Sequence, residues 1–204
     1  VVDEAVSSFL VSLGQSVAIV VGALMLTMGW RAGLVVGATL GLTVFSTLFF
    51  MSVFGISMER ISLGALIIAM GMLVDNAIVI TEGMVIGMAR GQEAEDAAAD
   101  TESATSIPLL GATVIGIMAF SGIGLSPDAT GEFLFSLFAV IAISLLMSWA
   151  FAVTITPYLG KLLLRAPKET SDDPYKGAFY GFYRGFLWLA LRSRVLVVLV
   201  ILGI

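Results

Sequence analysis

The sequence contains no cysteine and no histidine. The first absence removes disulfides, thiolate nucleophiles and Cys-based metal sites; the second removes imidazole ligands and the commonest proton shuttle. Charge is scarce as well. Only 12% of the 204 residues are Asp, Glu, Lys or Arg, against roughly 25% in soluble domains. With 59% apolar residues and a mean hydropathy of +1.06, such a chain cannot cover its own surface with polar groups, which excludes a water-soluble enzyme. A net charge of −5 with thinly spread basic residues leaves no footprint for nucleic acid. What remains is an integral membrane protein. It begins at Val1 without a Met and stops at Ile204 inside an apolar run, the pattern expected of an excerpt from a longer chain.

The few charges mark the boundaries. Residues 5–30, 32–58, 103–127 and 133–160 contain no Asp, Glu, Lys or Arg, and 61–89 is apolar apart from Asp75 and Glu82. Each run exceeds the ~20 residues that a helix needs to cross ~30 Å of hydrocarbon. The spacing predicts an all-α, polytopic transmembrane bundle in residues 1–160, with spans near 9–29, 34–54, 62–86, 106–125 and 133–159. A barrel is excluded because its strands would be short and alternating. Pro108, preceded by Ser103 and Thr105, reads as a helix start. Thr156-Pro157 reads as a break at the end of the fifth span, and Gly33, Gly37 and Gly41 form a G-x-x-x-G-x-x-x-G ridge that predicts close helix packing.

The loops orient the chain. Connections 30–33, 87–105 and 160–194 hold Arg31, Arg90, Lys161, Arg165, Lys168, Lys176, Arg184, Arg192 and Arg194, and the opposite loops hold only Arg60. The positive-inside rule therefore makes the first set cytoplasmic. Residues 161–174 read as a cytoplasmic linker broken by two prolines. In 175–192, Tyr175, Phe179, Phe182, Tyr183, Phe186, Leu187 and Ala190 recur at helical spacing with Lys176 and Arg184 off the stripe. That is the pattern of an amphipathic helix lying in the interface, or of one packed on neighbouring protein. A further, truncated span begins at 193–204. The ten Met residues are scattered and read as packing, and no metal site is expected.

Asp75 needs a reason to exist. It sits in the middle of the third span, where an Asp costs about 2.5–3.5 kcal/mol on insertion scales, and such residues face a bundle interior or a water path. At 100° per residue, Gly64, Gly71, Asp75 and Glu82 fall on one helix face. The two glycines would let a neighbouring helix approach closely, with both carboxylates pointing into that contact. Asn76 points about 100° away and need not share the site. A carboxyl so placed can pair with a cation, bind one, or take up a proton. An apolar setting favours its protonated form and a nearby Lys or Arg its ionised form, so alternation between the two would load and release a proton. Glu82, about 10 Å nearer the cytoplasm, could join that path or snorkel to water as an interfacial anchor. A hydrogen-bonded Asp75 that merely fixes packing is the plainer alternative.

Residues 71–82, GMLVDNAIVITE, resemble the fourth transmembrane helix of the resistance–nodulation–division (RND) efflux transporters of the acriflavin and multidrug-resistance type, with its G-x-x-x-D motif. Arg31 after the first span, the turn at Gly55-Ile56-Ser57 and the Thr156-Pro157 exit fall in corresponding places, and the resemblance covers essentially the whole chain. It implies a multi-pass protein of the bacterial inner membrane that exchanges protons for drugs or other amphiphiles. It needs no cofactor beyond the proton as coupling ion, and it is a secondary active transporter rather than an enzyme. Asp75 matches the family's proton-carrying Asp, and Asn76 stands where many drug exporters have a second Asp. The partner Lys would lie in a second repeat, and the substrate-binding periplasmic domains elsewhere. The resemblance further implies a homotrimer with a periplasmic adaptor and an outer-membrane channel, and a segment unable to transport alone. Two other classes compete. A membrane sensor or scaffold could use the same bundle without transport. An intramembrane aspartyl protease would need two carboxylates and a Gly-x-Gly-Asp motif, which Gly71 to Asp75 lacks.

Overall fold

The computed structural model describes residues 2–56, 60–124, 129–165 and 188. Its helices are α1 (Val2–Met28), α2 (Trp30–Val53), α3 (Arg60–Ala89), α4 (Ala94–Gly124) and α5 (Ala129–Leu163), and there is no strand among the described residues. All five belong to one compact unit, residues 1–166. Each contains a segment long and apolar enough to cross a membrane, so the expected all-α transmembrane bundle is what forms. The predicted linker boundary is corrected at its start, since Lys161, Leu162 and Leu163 form the last turn of α5 and only Leu164 and Arg165 of the described residues lie beyond it; the rest of the linker, the interfacial helix and the truncated span fall in 166–204. Within them only Trp188 is described, as helical and exposed.

Glycine makes the tight reversals. Gly29 (φ 89°) turns α1 directly into α2, and Gly91 (φ 90°) turns α3 into α4, conformations that a Cβ would penalise. Beyond the first turn, α2 lies against α1 with almost no space: a Cβ on Gly33 would stand 2.8 Å from the Met25 backbone nitrogen, and one on Gly37 2.9 Å from Val21. The predicted ridge is therefore real at Gly33 and Gly37. Gly41 differs, with open space beside it.

Three boundaries depart from the sequence reading. α4 starts at Ala94, not near 106, because Glu95 and Asp96 favour the positive end of a helix and Ala97, Ala98 and Ala99 propagate it. Pro108 is consequently inside α4 rather than at its start. Likewise α5 runs through Pro157 to Leu163 instead of breaking there. In both cases the neighbouring helices hold the interrupted segment. The Trp149 indole of α5 donates to the Ser106 carbonyl beside Pro108 (2.9 Å), and the Thr156 hydroxyl meets that of Thr39 on α2 (3.1 Å). Neither contact replaces the lost backbone bond itself, which would have run to the carbonyl of Ala104 or Val153; each instead ties the proline-bearing turn to the next helix.

α3 is the hub. Of its apolar span, 56% is buried, against 6% for α1 and for α4. Leu66, Ala69, Met70, Leu73, Val74 and Ala77 face Leu40 and Val44 of α2 and Val140, Ile141 and Leu145 of α5. A second cluster continues through Ile80, Met84, Val35 and Ala152. Lipid is as apolar as leucine, so close van der Waals fit and buried hydrogen bonds hold these helices rather than escape from water. At the end of the bundle that carries Arg31, its guanidinium stacks over Trp30 (5.0 Å) and donates to the Leu163 carbonyl at the terminus of α5 (3.4 Å). Lys161 pairs with Glu95 at the same end. Arg31, Lys161 and Arg165 thus gather on one side, as the loop assignment requires.

Candidate functional site

The face of α3 that does not pack carries the charges. Ile67, Ile68, Gly71, Asp75, Val79, Glu82 and Ile86 are all exposed, at helical spacing, on a helix whose other residues are largely core. Of the face predicted for Gly64, Gly71, Asp75 and Glu82, the last three are exposed and Gly64 is half-buried, and among the described residues no helix covers Gly71, Asp75 or Glu82. Gly64 and Gly71 have open space where a Cβ would be, so neither mediates packing among the described residues.

Beside that face lies a cleft of about 190 Å³, lined by Met72, Asp75, Asn76 and Val79 of α3, Leu109, Ala112 and Thr113 of α4, and Leu145 of α5. Asp75 reaches it from the exposed side. Asn76 reaches it from the buried side, being only 6% exposed. The sequence left Asn76 free of the site, and the structure has it line the same cleft as Asp75: 100° separates the two directions, yet the cleft is wide enough to take in both. Glu82 is not among the lining residues. It continues the stripe about 10 Å further along the helix.

The polar groups of the cleft have defined partners. The Ser148 hydroxyl of α5 donates to the Leu73 carbonyl (2.7 Å), and the Asn76 amide nitrogen donates to that same Ser148 oxygen (3.2 Å). Thr113 donates to the Leu109 carbonyl one turn back (2.8 Å). Ser148 and Thr113 were not foreseen. A serine or threonine inside an apolar span can satisfy itself on its own helix, so its presence alone says nothing about a site. No group of three or more metal-binding side chains occurs among the described residues. A lone carboxyl with neutral oxygens, in an apolar wall and open to one side, is suited to holding or exchanging a proton or a cationic partner.

The sequence model of the AcrB/AcrD/AcrF family matches residues 1–203. This chain belongs to the AcrB/AcrD/AcrF family. The assignment agrees with the RND resemblance of the 71–82 motif, and the chain is a multi-pass membrane protein. Among its relatives, an uncharacterized transporter of Haemophilus influenzae is 26% identical over 167 residues, covering 81% of this chain and 16% of its own length. The multidrug resistance protein MdtC of Pectobacterium atrosepticum is 28% identical over 182 residues, covering 85% and 18%. MdtC of Klebsiella pneumoniae is 27% identical over 179 residues, again 85% and 18%. This AcrB/AcrD/AcrF-family chain thus spans less than a fifth of these relatives.

Proposed function

We propose that this chain is part of the membrane domain of a proton-driven efflux transporter of the bacterial inner membrane, with Asp75 as the residue that takes up and releases the proton. One observation carries the reading: Asp75 stands mid-helix on the open face of the most buried helix, beside a cleft and without a cation partner among the described residues. The family membership and the names of the relatives support export of drugs or other amphiphiles. A second repeat packing on the Gly64–Gly71–Asp75–Glu82 face would bring the missing cation to Asp75. Gly64 and Gly71 leave room for that approach, and Glu82 extends the carboxylate stripe toward the cytoplasm. Withdrawal of the cation would favour protonation and its return would favour release. A charge moving through 100 mV gains ~2.3 kcal/mol, enough to bias such a change of state.

The coupling ion is the proton, with no further cofactor. The 30–33, 87–105 and 160–194 connections face the cytoplasm. The full-length protein works as a homotrimer with a periplasmic adaptor and an outer-membrane channel. The test uses that full-length protein in cells, with export of ethidium followed before and after the proton gradient is collapsed. Gradient-dependent export that disappears in Asp75→Asn is expected. Undiminished, gradient-dependent export in that variant would overturn the role given to Asp75. No export by the correctly inserted, unaltered protein would favour the sensor or scaffold reading.

A further inference from the structure

The hydrogen-bond directions around Asp75 follow from counting protons. A serine hydroxyl has one proton. That of Ser148 is spent on the Leu73 carbonyl at 2.7 Å, so towards Asn76 it can only accept. The amide of Asn76 must then turn its NH2 end to Ser148, which leaves Oδ1 as the end available on the cleft side. Thr113 repeats the logic. Its proton goes to the Leu109 carbonyl at 2.8 Å, so what its hydroxyl offers the cleft is a lone pair. Ser148 and Thr113 are 1% and 4% exposed and Asn76 is 6% exposed, which holds all three orientations in place.

We propose that the cleft is an acceptor-lined pocket specific for the protonated form of Asp75, with Asn76 and Thr113 as its acceptors and Ser148 as a positioning residue. A carboxylic acid has an O–H to donate, and Asn76 Oδ1 and Thr113 Oγ1 receive it directly or through a water, for which the cleft has room. An ionised carboxylate has nothing to donate and finds only lone pairs there, so it is driven toward a cation outside this unit. The two states of Asp75 are thereby assigned to two sides of the same residue. The amide of Asn76 serves this better than a carboxyl would, because it cannot titrate and its orientation is dictated by Ser148.

Among the described residues, Asp75 is the only ionisable group lining the cleft. The charged residues of α2, α4 and α5 sit near the helix ends, at Arg31, at Glu95, Asp96, Asp100 and Glu102, and at Glu132 and Lys161, while 32–53, 103–124 and 133–160 contain no Asp, Glu, Lys or Arg. Tyr158 stands exposed near the far end of α5, α1 has only Asp3 and Glu4 at its start, and Glu82 lies two turns along α3 itself.

This inference rests on Asp75 being the proton carrier, and the experiment separates the two. Dicyclohexylcarbodiimide is an apolar reagent that modifies a carboxyl only when it is protonated. Its incorporation at Asp75 is read by mass spectrometry of the full-length membrane protein over a range of pH. At fixed pH, Ser148→Ala and Thr113→Val are each expected to lower labelling about five-fold, the worth of one ordinary hydrogen bond. Thr113→Ser, which keeps the acceptor, should label like the unaltered protein. If Ser148→Ala does not fold, the Thr113 pair alone decides. Equal labelling of Thr113→Val and the unaltered protein at every pH would overturn the acceptor pocket while leaving Asp75 as carrier. Labelling of the unaltered protein that does not respond to pH would instead remove Asp75 from the proton path.

Discussion

Thr39 of α2 and Thr156 of α5 join hydroxyls 3.1 Å apart in a buried contact one residue before Pro157. Thr39 gives its own proton to the Val35 carbonyl at 3.0 Å, so Thr156 is the donor between them, in preference to its longer 3.4 Å approach to Phe151. The bond ties the proline-interrupted end of α5 to the helix on which α1 rests. Each threonine retains a carbonyl of its own helix if the other is removed, so no buried donor is orphaned. Thr39→Val and Thr156→Val should each cost about 0.6 kcal/mol, the average for an interhelical hydrogen bond in membrane proteins. The double variant should lose no more than either single one. Additive losses in detergent unfolding would show that the two hydroxyls act independently.

The α1–α2 contact makes a sharper contrast. Gly33 and Gly41 belong to the same ridge, but a Cβ on Gly33 would meet the Met25 backbone, whereas Gly41 faces open space. Backbone cannot rotate aside as a side chain can. Gly33→Ala should therefore destabilise the full-length protein by about 1–3 kcal/mol, as overpacking does. Gly41→Ala should be neutral or slightly stabilising, since alanine is the better helix former. The midpoints of thermal unfolding test the pair. Similar midpoints for both variants would mean that α1 does not rest on Gly33.

The sequence made the spans legible because lipid imposes a length and an apolar composition on each of them. It also placed Asp75 and Glu82 on one face, since helical periodicity alone decides that. It could not place the start of α4, because the residues 94–105 are polar and their helicity comes from alanines and acidic first-turn residues rather than from any membrane requirement. Nor could it predict that Asn76 would share the cleft with Asp75, or that Ser148 would hold it there. Both depend on where α5 crosses α3, and hydropathy has no information on crossing points. The openness beside Gly64 and Gly71 has a similar cause. Small residues announce that a helix can come close, but not which helix, and none of the four neighbours in this unit does so.

That openness predicts a separable variant. Gly71→Leu places four carbons into space that is empty in this unit, so the five-helix bundle should form as before. In the full-length protein the same side chain would push a helix of the second repeat away from Asp75, one turn along the same face. Ethidium export should be lost while membrane insertion and expression stay at the unaltered level. Normal export by Gly71→Leu would mean that this face of α3 looks into lipid.

The Trp149 indole offers a local readout of the Pro108 interruption. Its N–H donates to the Ser106 carbonyl at 2.9 Å, joining α5 to the stretch of α4 where the proline has removed a backbone donor. Trp149→Phe keeps most of the ring and removes only that bond, for an expected loss of about 1 kcal/mol. Amide hydrogen exchange should accelerate within 103–110, the turns flanking Pro108, and remain unchanged in α3. Acceleration spread evenly over every helix would show instead that the indole's bulk, and not its N–H, holds α4.

The absence of cysteine makes the proposed sidedness directly testable. Glu93 precedes α4 at the end of the bundle that carries Arg31 and the Lys161–Glu95 pair, and Phe54 caps α2 at the opposite end, 65% exposed. Glu93→Cys and Phe54→Cys therefore introduce thiols on opposite sides without touching the core, in a full-length protein cleared of any other cysteine. In spheroplasts, a membrane-impermeant maleimide should label the residue at 54 at once and the residue at 93 only after the membrane is opened. The expectation follows from the proposed sidedness, which rests on the nine-to-one distribution of Lys and Arg between the 30–33, 87–105 and 160–194 connections and the opposite loops. The reverse order of labelling would invert the bundle, and with it the direction in which Glu82 extends the carboxylate stripe from Asp75.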